Sequence, residues 1–238
     1  MLRQFKHVEF DAPHRRPSTE VAGPGKLALT ALLACGVASS VLYVAADVIS
    51  ALRYEGYEYH AQAVSELAAV GAPSRPLFVA LMLIYNVLLI AFTAGIWRAA
   101  HGRRTMYYLA AAFVGNVVAG TFGLLLFNMD QRGAEDTFRG SLHGPATLVE
   151  SIFIMASMAF AAATFGKTFR IYSIATIAVL IVFGIWTSLS VPAVAEGEPT
   201  PWMGIIERVN VYGYLLWVAV LAVVLRQSNE PLRPREPS

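Results

Sequence analysis

Asp47, His60, Ser65, Glu66, Asp130, Asp136, His143, Glu150, Glu207 and Arg208 are the side chains best placed by type and spacing to do chemistry. Each lies inside or beside a long apolar run, where ionisable groups are costly and often functional. Histidines with carboxylates can hold a zinc ion and activate water. His143, Asp130 and His60 are the candidate ligands for zinc, Glu66 the candidate base, and Ser65 the partner of an oxyanion or water. A second chemistry needs no metal. Asp47, Asp130, Asp136, Glu150, Glu207 and Arg208 would form a polar network, or a pocket for a cation or a headgroup. Proton-coupled transport would use Glu150.

Local sequence sharpens several of these. In "GSLHGPATLVESIF", His143, Thr147 and Glu150 are spaced by four and three, so they share one stripe of a helix. Glu150 then lies about two turns inside the apolar run, where an uncompensated carboxylate is strongly unfavourable. A partner is expected, either His143 or a residue on another helix. Ser40, Tyr43, Val44 and Asp47 share a face in the first apolar run. Asn86 and Asn116 lie within the second and third runs, where asparagine joins helices by hydrogen bonding. Gly115, Gly120 and Gly123 follow no strand and form no nucleotide loop; they permit close helix packing. Trp97, Tyr107, Tyr108, Trp202 and Trp217 read as an aromatic belt at the membrane surface.

The elements that must position these residues are membrane helices. The chain has 238 residues, 56% hydrophobic and only 14% charged. A soluble domain carries about a quarter charged residues. The net charge of +2 is too small to imply nucleic acid. The single cysteine, Cys35, excludes an intrachain disulfide and reads as packing. Six apolar runs are long enough to span a bilayer as helix: Leu27–Ser50, Leu77–Arg98, Met106–Phe127, Leu142–Phe165, Ile171–Val191 and Gly204–Leu225. The expected fold class is all-α, a polytopic membrane protein built as a bundle of six transmembrane helices over residues 27–225. A leader, 1–26, and a tail, 226–238, read as disordered cytoplasmic ends.

Charge placement orients the bundle. Arg3, Lys6, Arg15, Arg16, Lys26, Arg98, Arg103, Arg104, Lys167, Arg170, Arg226, Arg233 and Arg235, thirteen of the 18 basic residues, fall on one side. Both termini are therefore expected in the cytoplasm, and every candidate site residue on the opposite face. The connectors on that face, about 26, 14 and 12 residues, have the length of functional loops. The first of them, 51–76, contains "AQAVSELAAVG", which predicts a short interfacial helix with Val64, Leu67 and Val70 on one side and Gln62, Ser65 and Glu66 on the other. Gly71 suits a helix C-terminus, and Ser74 would cap the second membrane helix.

The stretches "VSELAAVGAPSRP", "NMDQRG", "GSLHGPA" and "IIERV" occur in order at successive crossings. In these the chain resembles the domain of unknown function 998 family of bacterial and archaeal membrane proteins, over most of residues 27–225. The resemblance implies a six-helix membrane fold, no established activity, and the plasma membrane of a prokaryote as location. The polar layout is also similar to that of alkaline ceramidases, which use a serine, an aspartate and three histidines. Here the last two helices contain no histidine. Three readings stand: a structural or ligand-binding and sensing role on a lipid or small amphiphile, a metal-dependent hydrolase of lipid amides or esters, and an ion- or proton-coupled transporter. Membrane lipids are the expected partners, with a homo-oligomer as a candidate assembly.

Overall fold

The structure, a computed structural model, describes residues 23–229. The leader through residue 22 and the tail from residue 230 lie outside the described residues. Eight α-helices follow in order: α1 (Pro24–Leu52), α2 (Arg75–Arg98), α3 (Arg104–Leu126), α4 (Phe138–Ser141), α5 (His143–Thr164), α6 (Lys167–Leu189), α7 (Val191–Ala195) and α8 (Met203–Asn229). No strand occurs among the described residues. Six helices are long and apolar enough to cross a membrane, at the crossings read from the sequence. The first and last extend beyond their apolar runs, to Pro24 and Asn229, and so take in parts of the expected leader and tail.

Local chemistry sets the helix ends. Proline occupies the first turn of α1 and of α2, where its missing N–H breaks no helical bond. The α2–α3 turn is tight because His101 (φ 43°) and Gly102 (φ 82°) adopt the left-handed conformation that glycine takes without strain. Thr137 caps α4, its Oγ1 accepting from the Gly140 N–H at 3.0 Å.

The long helices form a closed ring. Each packs on its neighbour in the chain, and α8 returns to pack on α1. Glycines permit the closest approaches. A Cβ on Gly36 of α1 would meet Phe92 at 2.8 Å and Ala222 at 3.0 Å. Along α3, Gly115 faces Phe153, Gly120 faces the Glu150 carboxylate, and Gly123 faces Ala146, so all three glycines serve the α3–α5 contact as expected.

The two halves of the bundle differ. Toward the end that carries the chain termini, the interior is filled. Phe92 packs edge-on against Phe113 at 5.5 Å, Phe113 stacks on Trp217 at 6.3 Å, and all three rings are fully buried. Trp217 is therefore no belt residue: it lies mid-helix on the inner face of α8, and its Nε1 donates to Ser173 Oγ at 3.0 Å. Trp97, Tyr108 and Trp202 do stand exposed. Toward the opposite end, which carries the long connectors and is called here the loop end, α5 and α6 are less buried. The buried residues of α5 are Ser157, Met158, Ala161 and Ala162, and those of α6 are Phe169, Ser173, Thr176 and Leu180. All but Leu180, just past the middle of α6, lie in the termini half of the bundle, so the last loop-end turns of both helices bury no residue fully.

Candidate functional site

The first long connector folds into the mouth of the bundle instead of lying along the membrane surface. Val64–Ala68 forms a single 3-10 segment, and Ala61, Ala63, Val64, Glu66, Leu67, Ala68 and Ala69 are all buried, with Val70 exposed. The predicted amphipathic split fails because Glu66 turns inward to a partner. Gly71 takes the left-handed conformation (φ 85°), but after the turn and not as a helix stop. Ser74 precedes α2 without capping it; its Oγ donates instead to the Leu67 carbonyl at 2.9 Å and closes the connector on itself.

Two ion pairs hold this connector down. Arg208 on α8 meets Asp47 on α1 as a two-pronged pair, Nε to Oδ2 and Nη2 to Oδ1, both at 2.9 Å. The side chains are 4% and 0% exposed. The remaining donors of Arg208 are also used. Nη1 reaches the carbonyls of Tyr59 (2.6 Å), Gly204 (3.1 Å) and Gln62 (3.2 Å), and Nη2 reaches Tyr57 Oη at 2.8 Å. Asp47 Oδ2 further accepts from the Tyr59 hydroxyl at 2.9 Å and the Tyr212 hydroxyl at 2.5 Å. The guanidinium lies 3.4 Å above the Tyr59 ring, a cation–π contact. Burial pushes the Tyr57 and Tyr59 phenols above the ordinary tyrosine pKa, so both stay neutral donors. Gly204 makes the contact sterically feasible: any Cβ there would strike the carbonyls of Tyr59 and Gln62.

The second pair joins Glu66 to Arg132. Arg132 Nη2 lies 2.9 Å from Glu66 Oε1 and also donates to Thr200 Oγ1 at 2.9 Å, while Nη1 donates to the Glu198 carbonyl at 2.9 Å. Glu66 accepts as well from the Ala63 N–H at 2.9 Å and from Gln62 Nε2 at 3.0 Å. All three long connectors thus meet at one ion pair. Glu207, half-buried on α8, accepts the Val64 N–H at 2.5 Å and so fixes the start of the 3-10 segment.

The other candidate residues stand apart from these pairs. Asp130 accepts from the Thr137 N–H (2.7 Å) and hydroxyl (2.9 Å), which fastens the α3–α5 connector. Asp136 and His60 are exposed, and Ser65 is half-buried. His143 places Nδ1 2.9 Å from the Phe127 carbonyl. Among the described residues, no group of three or more His, Cys, Asp or Glu side chains is arranged to hold a metal ion.

Glu150 departs from expectation. His143 bonds to Phe127 and not to it, and Glu150 makes no hydrogen bond or ion pair with any described residue. Its carboxylate lies against Gly120, one turn from Asn116 on α3. Asn116 Nδ2 donates to Tyr214 Oη at 2.6 Å, and Asn86 Nδ2 donates to Thr121 Oγ1 at 3.0 Å, so both asparagines join helices as expected. Tyr85 adjoins Asn86, Thr121 adjoins Gly120, and Tyr43 packs edge to face on Tyr85 at 5.2 Å. Five helices therefore bring a polar side chain to one level of the bundle.

Tyr57, Tyr59, Tyr212, Tyr85 and Tyr214 were not singled out by their sequence context. Arg208 and Tyr212 are four apart on α8, a spacing that places them on one face and was the available signal. The connector tyrosines carried none, because nothing local states that a loop will fold inward.

A closed ring of six membrane-length helices, with its connectors tied by buried ion pairs at one end, defines a multi-pass α-helical membrane protein. The chain belongs to the family described as Protein of unknown function (DUF998), whose model matches residues 37–224. No curated protein and no solved structure matches it.

Proposed function

We propose that this protein is a ligand-binding module of the membrane, open at its loop end and sealed at the other, with Glu150 as the charged group at the bottom of the opening. The observation that carries the reading is the contrast among the carboxylates of the spanning helices. Asp47 is held by Arg208 and two tyrosines, and Glu207 by a backbone N–H, while Glu150 has neither. Glu150 is half-buried, and a carboxylate at membrane depth without a partner is costly, so its retention on the membrane level of α5 fits a role that a bound group completes. The unburied loop-end turns of α5 and α6 are the route in this reading, and the Phe92, Phe113 and Trp217 rings close the far side.

The ion pairs of Asp47 and Glu66 act as clamps in this reading. They are saturated by protein groups and position the connectors around the opening. The loop end faces out of the cytoplasm, in line with the basic residues Arg98, Arg103, Arg104, Lys167 and Arg170 at the other end, and a cell's plasma membrane is the setting. The zinc-hydrolase reading draws less support, since His143, Asp130 and Glu66 are each engaged separately. Transport would need the aromatic seal to open.

The test is chemical access. In a Cys35→Ser background, Glu150→Cys is expected to react with a water-soluble thiol reagent added from the loop-end side of proteoliposomes, and Leu109→Cys, one turn beyond the seal and fully buried, to stay unreactive. An unreactive Glu150→Cys, or equal reaction at both positions, overturns the reading.

A further inference from the structure

We infer that the group taken at Glu150 is a primary ammonium, the headgroup of a single-chain cationic amphiphile; this rests on the binding reading above and names its ligand class. The first argument is charge. Beyond their first turns, the spanning helices carry three acids toward the loop end, Asp47, Glu150 and Glu207, and one base, Arg208. Arg208 is spent on Asp47, Arg132 on Glu66, and Arg75 donates to the Asn128 side chain. No cation among these residues is left to meet an anionic or zwitterionic head, whereas a cation supplies the counter-charge that Glu150 lacks.

The second argument is hydrogen-bond inventory. An ammonium brings three N–H donors and no acceptor, so its site must offer acceptors. The Glu150 carboxylate is one. The hydroxyls of Tyr43 and Tyr85 make no hydrogen bond with any described residue. Neither is among the sealed polar atoms without a partner, which are Ser50 Oγ and Tyr172 Oη. Neither phenol oxygen is therefore wholly sealed. The two rings meet edge to face at 5.2 Å, so they are packed together. The same rings offer π-faces, which attract a cation. Tyr214 Oη is already an acceptor for Asn116, which holds the floor of the site in place.

The third argument is the tail. Before Ser157 on α5 and beyond Leu180 on α6, neither helix buries a residue fully toward the loop end, and the large exposed side chains there are apolar: Leu148, Val149 and Ile152 on α5, Val182, Ile185 and Trp186 on α6. A chain bound at Glu150 can leave between these helices into the bilayer without crossing a polar surface.

The experiment uses the full-length protein in nanodiscs of zwitterionic lipid, with binding read by calorimetry and by thermal shift. Dodecylamine, butylamine and dodecanoate are the probes. Dodecylamine is expected to bind saturably and to raise the midpoint of unfolding. Glu150→Gln, which removes charge but breaks no protein contact, is expected to weaken binding at least about tenfold. Tyr85→Phe is expected to weaken it by a smaller factor and still fold. Butylamine binding as tightly as dodecylamine would keep the ammonium site and assign it a soluble amine. Dodecanoate binding as well as dodecylamine, or Glu150→Gln binding unchanged, overturns the inference. If Glu150→Cys has proved reactive while no amine binds, the ligand class is wrong and the open site stands; if Glu150→Cys is inert, the site itself is wrong.

Discussion

Replacing Asp47 by asparagine should be among the most damaging single changes in this protein. The substitution keeps the shape and removes the charge. It also turns an amide N–H₂ toward a guanidinium that has only donors. Arg208 is 4% exposed, so its charge would be left without a counter-ion away from water. Breaking a buried pair from one side costs about 3–5 kcal/mol, against about 0–1 kcal/mol for a pair open to solvent. Burial decides between these, and both side chains are sealed. For a chain of this size that loss corresponds to a fall in Tm of roughly 6–20 °C. The assay is thermal or denaturant unfolding in detergent of Asp47→Asn, Arg208→Met and the double variant. A coupling of at least about 1.5 kcal/mol is expected in the cycle. The double variant still loses stability, because the carbonyls of Tyr59 and Gln62 lose a donor. A single-variant loss below about 1 kcal/mol, or strict additivity, would refute the reasoning and show that water reaches the pair.

Further expectations follow from the same contacts. Gly204→Ala should destabilise by about 1–3 kcal/mol, since its Cβ would strike the carbonyls of Tyr59 and Gln62; a neutral result by the same unfolding assay would mean that the connector can lift. Glu66→Gln should cost about 1–3 kcal/mol and raise proteolysis of the 51–76 connector, because Arg132 loses its counter-charge. Burial raises the Tyr57 pKa. The folded state therefore keeps its proton where the unfolded chain begins to lose it, near pH 10. Stability conferred by this group is complete below that pH and lost above it. The alkaline decline in Tm should be shallower in Tyr57→Phe, and an identical slope would contradict the assignment. Trp217→Ala should cost about 3–5 kcal/mol as a cavity in the aromatic seal, whereas Trp202→Ala, at an exposed position, should change Tm little.

Composition and hydropathy alone determined the six crossings, because a bilayer permits only long apolar helices and their length follows from its thickness. Spacing within a helix was equally legible: Gly115, Gly120 and Gly123 lie where a neighbour approaches, and Asn86 and Asn116 join helices. The role of each ionisable residue depended on distance in space and not on local pattern. Asp47 and Arg208 are 161 positions apart, and no periodicity relates them. The connector "YEYHAQAVSELAAVG" alternates like a surface helix, yet it is drawn inward because Glu66 and the carbonyls of Tyr59 and Gln62 find buried arginines there. Glu150 and His143 share a helical stripe in sequence, but packing against Phe127 and Gly120 sends them to different neighbours. Tertiary structure decided which carboxylates are satisfied and which one is not, since satisfaction is set by what other helices bring within hydrogen-bond reach.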